Sequence, residues 1–161
     1  MTIGQGFLKE VEAELKSSRR LIERVPGDKG TWKPHPRSSA LGHLAQLCCR
    51  MPKVMSDIVK GIDLDLAAGP GYSFESTETL LRDFDANAAE LRQTLSKAKD
   101  TDFDGKWSVR AGADIYDTAG RYDALRNTIN HFVHHRGQLT VYLRMLDVPI
   151  PQLYGPTADE R

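Results

Sequence analysis

The chain has no run of about 18 apolar residues, so no membrane-spanning helix is expected from it. It has no excess of either charge: Lys+Arg and Asp+Glu both number 22. A broad electrostatic grip on nucleic acid or anionic lipid is therefore excluded as its main business. It has only two cysteines, Cys48 and Cys49. As neighbours in a helical pattern they are poorly placed to bond to each other, and a reducing, cytoplasmic setting is expected. Met1–Gly6 lacks a basic region followed by an apolar one, so no signal peptide is expected. Gly-rich phosphate loops, Ser-His-Asp patterns and CxxC pairs are also missing.

What is there is helical periodicity. Phe7, Val11, Leu15, Ser18, Ile22 and Val25 recur at three- and four-residue steps and predict a first helix over 4–25, closed by Pro26-Gly27. Ser39 is placed to cap a second helix whose buried stripe runs Leu41, Leu44, Cys48, Met51, Met55, Ile58, Ile62. Pro52 falls inside it, where a kink is expected. A third helix is predicted over 77–98, with Leu81, Phe84, Ala88, Leu91 and Leu95 inward. A fourth is predicted over 120–146, stopped by Pro149 and Pro151. The span 99–120 is irregular, with possible short extended arms at Trp107-Ser108-Val109 and Asp114-Ile115-Tyr116 around Gly112. The tail from Gln152 lacks periodicity and is expected on the surface or padding a neighbour. At 161 residues this predicts one all-α domain, a four-helix bundle over 1–161.

The densest chemistry lies in the fourth helix. Three of the five histidines fall in His131-Phe132-Val133-His134-His135-Arg136-Gly137-Gln138. His131 and His135 are four apart, so they stack on one face about 6 Å apart along the axis. Two imidazoles so spaced can grip one transition metal; Zn, Ni and Fe(II) all accept imidazole. Phe132 stands where a zinc protease has its glutamate, which excludes that chemistry. A third ligand must come from another helix. His43 is the obvious candidate, and Gln46 a poorer one. His134 points about 100° away from His135, and His35 reads as an exposed turn residue. Asn130, Gln138 and Tyr142 are possible partners for the rings' other nitrogens. Arg136 suits an ion pair, with a neighbouring helix or with a substrate. Cys48, on the apolar stripe, reads as a buried, inert thiol. No carboxylate is placed as an evident general base, so the catalytic residues remain unassigned.

Trp32-Lys33-Pro34-His35, the stretch Ser39 to Leu44, and above all His131-Phe132-Val133-His134-His135-Arg136-Gly137-Gln138-Leu139 resemble the DinB-like family of bacterial proteins. Leu146-Asp147-Val148-Pro149-Ile150-Pro151 with Tyr154-Gly155-Pro156 matches a subgroup. The resemblance implies up-down-down-up connectivity and a divalent metal held by three histidines, two of them matching His131 and His135. It also implies thiol-dependent transferase or isomerase chemistry using low-molecular-weight thiols on a small-molecule substrate. One position departs from the pattern. Family members carry the second-helix histidine where this chain has Leu47, and His43 lies one turn earlier. Three outcomes stay open: His43 substitutes, water completes a two-histidine site, or the site has lost its metal. The rival reading is a non-catalytic bundle with a degenerate site that binds a small molecule or a partner. A homodimer built on the helices' apolar surface is the expected assembly.

Overall fold

The computed structural model describes residues 1–69 and 71–161. Its four long helices are α1 (Ile3–Ile22), α2 (Leu41–Lys60), α3 (Thr77–Lys97) and α4 (Arg121–Met145). Each expected helix is present, with ends shifted by no more than three residues. Local chemistry sets those ends. Thr2 and Gln5 form a capping box at the start of α1, and the Ser76 hydroxyl accepts from the Thr79 amide at 3.1 Å to open α3. Ser39 does not cap α2. The cap position is Ala40, and the first amides of the helix are satisfied instead by the preceding loop, Leu41 N to Trp32 O and Gly42 N to Gly30 O, both 2.9 Å. Gly61, with φ of 71°, takes the left-handed turn that ends α2, so Ile62 falls outside the helix and is exposed. Pro52 sits within α2 without ending it.

α2 packs on α3 and α4, and α1 packs on the same two helices. Between them lies one apolar core. Phe7, Val11 and Leu15 come from α1; Leu44, Cys48, Met51, Met55 and Ile58 from α2; Leu80, Phe84, Leu91 and Leu95 from α3; Leu125, Ile129, Phe132, Leu139 and Leu143 from α4. In α3 the inward position of the first turn is Leu80, while Leu81 is only partly buried against the core.

The all-α expectation needs correction. A three-stranded sheet is present: β1 (Leu64–Asp65), β2 (Lys106–Ala111) and β3 (Asp114–Gly120), in the order β1-β2-β3. β1 pairs with β2 in parallel and β2 with β3 antiparallel. The two arms suspected around Gly112 are β2 and β3, and Gly112 turns between them with φ of 60°. β3 is exposed over most of its length and Trp107 is the one fully buried side chain of β2, so the alternation that betrays a strand is absent. Tertiary bonds hold the sheet to the helices. Trp107 Nε1 donates to Ile62 O at 2.8 Å, and Asp63 Oδ1 accepts from Ser108 N at 2.9 Å.

One charge lies in the core. The side chain of Arg136, on α4, is 2 % exposed and 2.6 Å from Glu14 Oε2 on α1. It also donates to Glu14 O (3.2 Å) and to Tyr154 Oη (2.5 Å), and Tyr154 in turn donates to Glu14 Oε2 at 2.8 Å. The pairing foreseen for Arg136 is thus with a neighbouring helix. Tyr154 belongs to the tail, which lies on the surface as expected and is tied to the helices by ion pairs. Glu160 pairs with Arg20 and Arg24, and Asp159 with Arg144. Removing one partner of a buried pair strands the other charge. Glu14→Ala is therefore expected to lower unfolding free energy by about 3 kcal/mol in urea titrations, whereas Arg136→Met, which removes the charge and keeps the bulk, should cost clearly less.

Candidate metal-binding site

α4 must turn one face to α1 to pair Arg136. Its preceding residue, His135, then lies about 100° around the helix, on the side of α2. His131, one turn earlier, shares that side. The two rings converge: Nε2 of His131 and Nε2 of His135 are 2.6 Å apart, with ring centroids separated by 4.3 Å. His135 Nδ1 lies 2.8 Å from Gln138 Oε1. A carboxamide oxygen only accepts, so Nδ1 carries the proton and the His135 lone pair sits on Nε2, directed at His131. Burial, then the neighbouring rings of His135 and His134, holds His131 below the ordinary histidine range. Its neutral form therefore persists to lower pH than that of a free imidazole.

This donor set fits a cation shared by two imidazoles. Two nitrogens bound to one tetrahedral ion at roughly 2.0 Å stand about 3.3 Å apart, so the rings would part by less than about 1 Å. The set does not extend to three. Among the described residues, no group of three His, Cys, Asp or Glu side chains is arranged to hold a metal. His43 is occupied elsewhere: its ring stacks on Tyr72 with centroids 3.7 Å apart and planes 20° from parallel. Its pKa is lowered by burial first, then by the charges of Arg50, His135 and Lys33. It therefore feels His135 without converging on it. Gln46 Nε2 donates to Ser73 O at 2.8 Å, and its Oε1 is buried without a partner among the described residues. His134 is exposed, and exposed His35 accepts from the Arg37 amide at 3.2 Å. Tyr142 lies against Ser39 O rather than a histidine. Burial pushes the Cys48 thiol up to about 12 and Cys49 higher still, so neither is a nucleophile near neutral pH.

Beside the pair lies a cavity of about 720 Å3, within the range of small-molecule sites. His131, Asn127 and Thr128 of α4 form one polar edge. Leu47, Met51, Val54 and Trp107 make much of the rest apolar. Sequence reasoning missed this cavity's outer wall. Tyr72, Leu64 and Val109 come from a loop and two strands with no periodic signal. Tyr72 is held on α2 by His43 and by Arg50, whose guanidinium lies 4.4 Å from its ring centroid.

A DinB family model matches residues 4–161. This chain belongs to the DinB family. Its fold is similar to those of two DinB-like proteins of known crystal structure. One, from Bacillus cereus ATCC 10987, has a TM-score of 0.72 and 19% identity, over 93% of this chain and 97% of that one. The other, from Bacillus subtilis, has a TM-score of 0.68 and 16% identity, over 96% and 98%. No curated protein matches.

Leu47, at the position where the family resemblance expects a histidine, lines the same cavity as His131, whereas His43 lies against Tyr72. Leu47→His is accordingly expected to add the third imidazole and to tighten Zn2+ binding by at least roughly tenfold in competition titrations with a chromophoric chelator. A second measurement follows from the His131 environment. In the metal-free protein its ring should titrate below 6.5 by NMR, and His135→Ala should move it back upward, since one of the repelling neighbours is gone.

Proposed function

We propose that this protein is a divalent-metal-dependent enzyme acting on a small molecule with a substantial apolar part, with His131 and His135 as the metal ligands. The observation that carries this reading is the 2.6 Å approach of two ring nitrogens, one with its tautomer fixed by Gln138, at the edge of a cavity of about 720 Å3. Bound there, a Zn, Ni or Fe(II) ion would supply Lewis acidity, lowering the pKa of a thiol or water brought to it. The chain's residues supply the rest. Gln138 orients His135, and the apolar lining of Leu47, Met51, Val54 and Trp107 desolvates the substrate beside His131. A low-molecular-weight thiol is the co-substrate that family resemblance suggests. In such a transfer, sulfur forms a bond to an electrophilic carbon, the leaving group departs with the bonding pair, and the thiol proton goes to solvent.

The alternative is a non-catalytic small-molecule-binding or interaction protein with a degenerate site. It is favoured by one observation, the lack of a third ligand among the described residues. Metal binding separates the two. The enzyme reading expects about one equivalent of Zn2+ or Ni2+ per chain at pH 7.5, with affinity reduced at least roughly tenfold by His131→Ala without loss of helical circular dichroism. Occupancy should fall with acidification, because only neutral imidazoles bind and protons compete for both ring nitrogens. Thiol consumption with apolar electrophiles should then require the metal and both histidines. Failure to bind either ion above background, with stability unchanged by chelator, sinks the enzyme reading and leaves the alternative.

A further inference from the structure

A second cavity, of about 730 Å3, lies between segment 27–40, the first turn of α2 and residues 72–75. We propose that it binds the oxyanion group, carboxylate or phosphoryl, of a small molecule, and that this is the charged end of the substrate whose apolar part enters the neighbouring cavity. The second half of that statement rests on the functional reading above; the first half does not.

Two cations at this cavity differ from most arginines of the fold. Arg19, Arg20, Arg24, Arg82, Arg92, Arg110, Arg126, Arg136 and Arg144 each meet a carboxylate. Arg121 donates to backbone carbonyls. Arg37 has no side-chain partner among the described residues, and neither has Lys33; both line this cavity. Two carboxylates also line it. They are Asp28, which is 3.3 Å from Lys29 Nζ, and Glu75, which has no ion pair among the described residues. The same wall holds Ser38 and Ser39. The hydroxyl of Ser39 would ordinarily cap α2, but it makes no such bond because the loop carbonyls of Gly30 and Trp32 take the first amides. Cationic and hydroxyl donors that the fold leaves unused, facing one concavity, are the complement of an oxyanion.

The cavity adjoins the one beside the candidate metal site. Tyr72 lines both cavities, and His43, on the wall of this one, stacks on it. Tyr72 therefore stands between the cavity lined by Lys33 and Arg37 and the cavity lined by His131.

The test titrates 15N-labelled, metal-free protein with inorganic phosphate and, separately, with acetate at constant ionic strength. Saturable amide shifts confined to residues 31–43 and 72–75 are expected. Lys33→Gln/Arg37→Gln should weaken binding by roughly tenfold or more, while Lys16→Gln, an exposed charge on α1, leaves it unchanged. Both positions of the double variant are exposed, and its own spectrum reports whether the fold is kept. Tighter binding of phosphate assigns a phosphoryl group, and tighter binding of acetate a carboxylate. Shifts that do not saturate, that scatter over the surface, or that persist in the double variant overturn the proposal. The same titration on His131→Ala keeps the two ideas apart: unchanged oxyanion binding in a variant that no longer takes up metal leaves this site standing whatever becomes of the metal.

Discussion

Arg136 carries a positive charge into the core, and Glu14 is the carboxylate that meets it there. A buried guanidinium tolerates few arrangements, because each donor left unsatisfied costs about 1–3 kcal/mol or more. The Glu14 carboxylate and carbonyl and Ser18 Oγ accept from its Nη1, and the Tyr154 hydroxyl accepts from its Nη2. This fixes the rotation of α4 about its own axis. Because adjacent helical residues diverge by about 100°, the side of α4 that turns to α1 dictates the side left for the neighbouring residues. The direction of His135, the residue before Arg136, is set as a consequence, and His131, one turn earlier, shares it. The candidate site is thus oriented by an ion pair about 100° away around the same helix.

The same pair recruits the C-terminal tail. Tyr154 bridges guanidinium and carboxylate, and its own pKa is raised, chiefly by burial and by the bond to Glu14. Glu160 is held well below the usual carboxylate range, to about 2, by the Gln152 amide first and then by Arg24 and Arg20. Asp159 is lowered likewise by Arg144 and the Ile150 amide. The sign is that of depressed carboxylates. Their contribution is present above the unfolded-state pKa, near 4, and is lost as pH falls through the lower folded value. These groups are exposed, so solvent screening keeps that contribution small. Their role is to seat the tail against α1 and α4, where Tyr154 reaches Glu14.

Two cavities of similar size meet at Tyr72 and differ in character. The one beside His131 is mostly apolar; the one beside His43 is polar and carries cations without partners. A ring clamped by His43 and Arg50, two turns apart on α2, makes that division. His43 is therefore better described as part of a wall than as a ligand in this arrangement. Leu47, one turn further along α2, is the residue that shares a cavity with His131.

Helix number, the core stripes apart from Ile62 and Leu81, and the His131/His135 pairing were legible in the sequence, because each depends on spacing along a single helix, and a 3.6-residue period converts spacing into direction. The run from His131 to Leu139 also made the family recognisable. The sheet was only half legible, since strands with little burial leave no alternating pattern; the arms about Gly112 could be suspected, and the two-residue β1 could not. Whether His43 reaches the histidine pair depends on the placement of α2 against α4 and on a loop aromatic, Tyr72, that no periodicity marks. The capping of α2 likewise passed from Ser39 to carbonyls of Gly30 and Trp32. Local periodicity thus determined which residues share a helix face, while tertiary packing alone decided which faces meet, because that outcome rests on contacts between segments far apart in the chain.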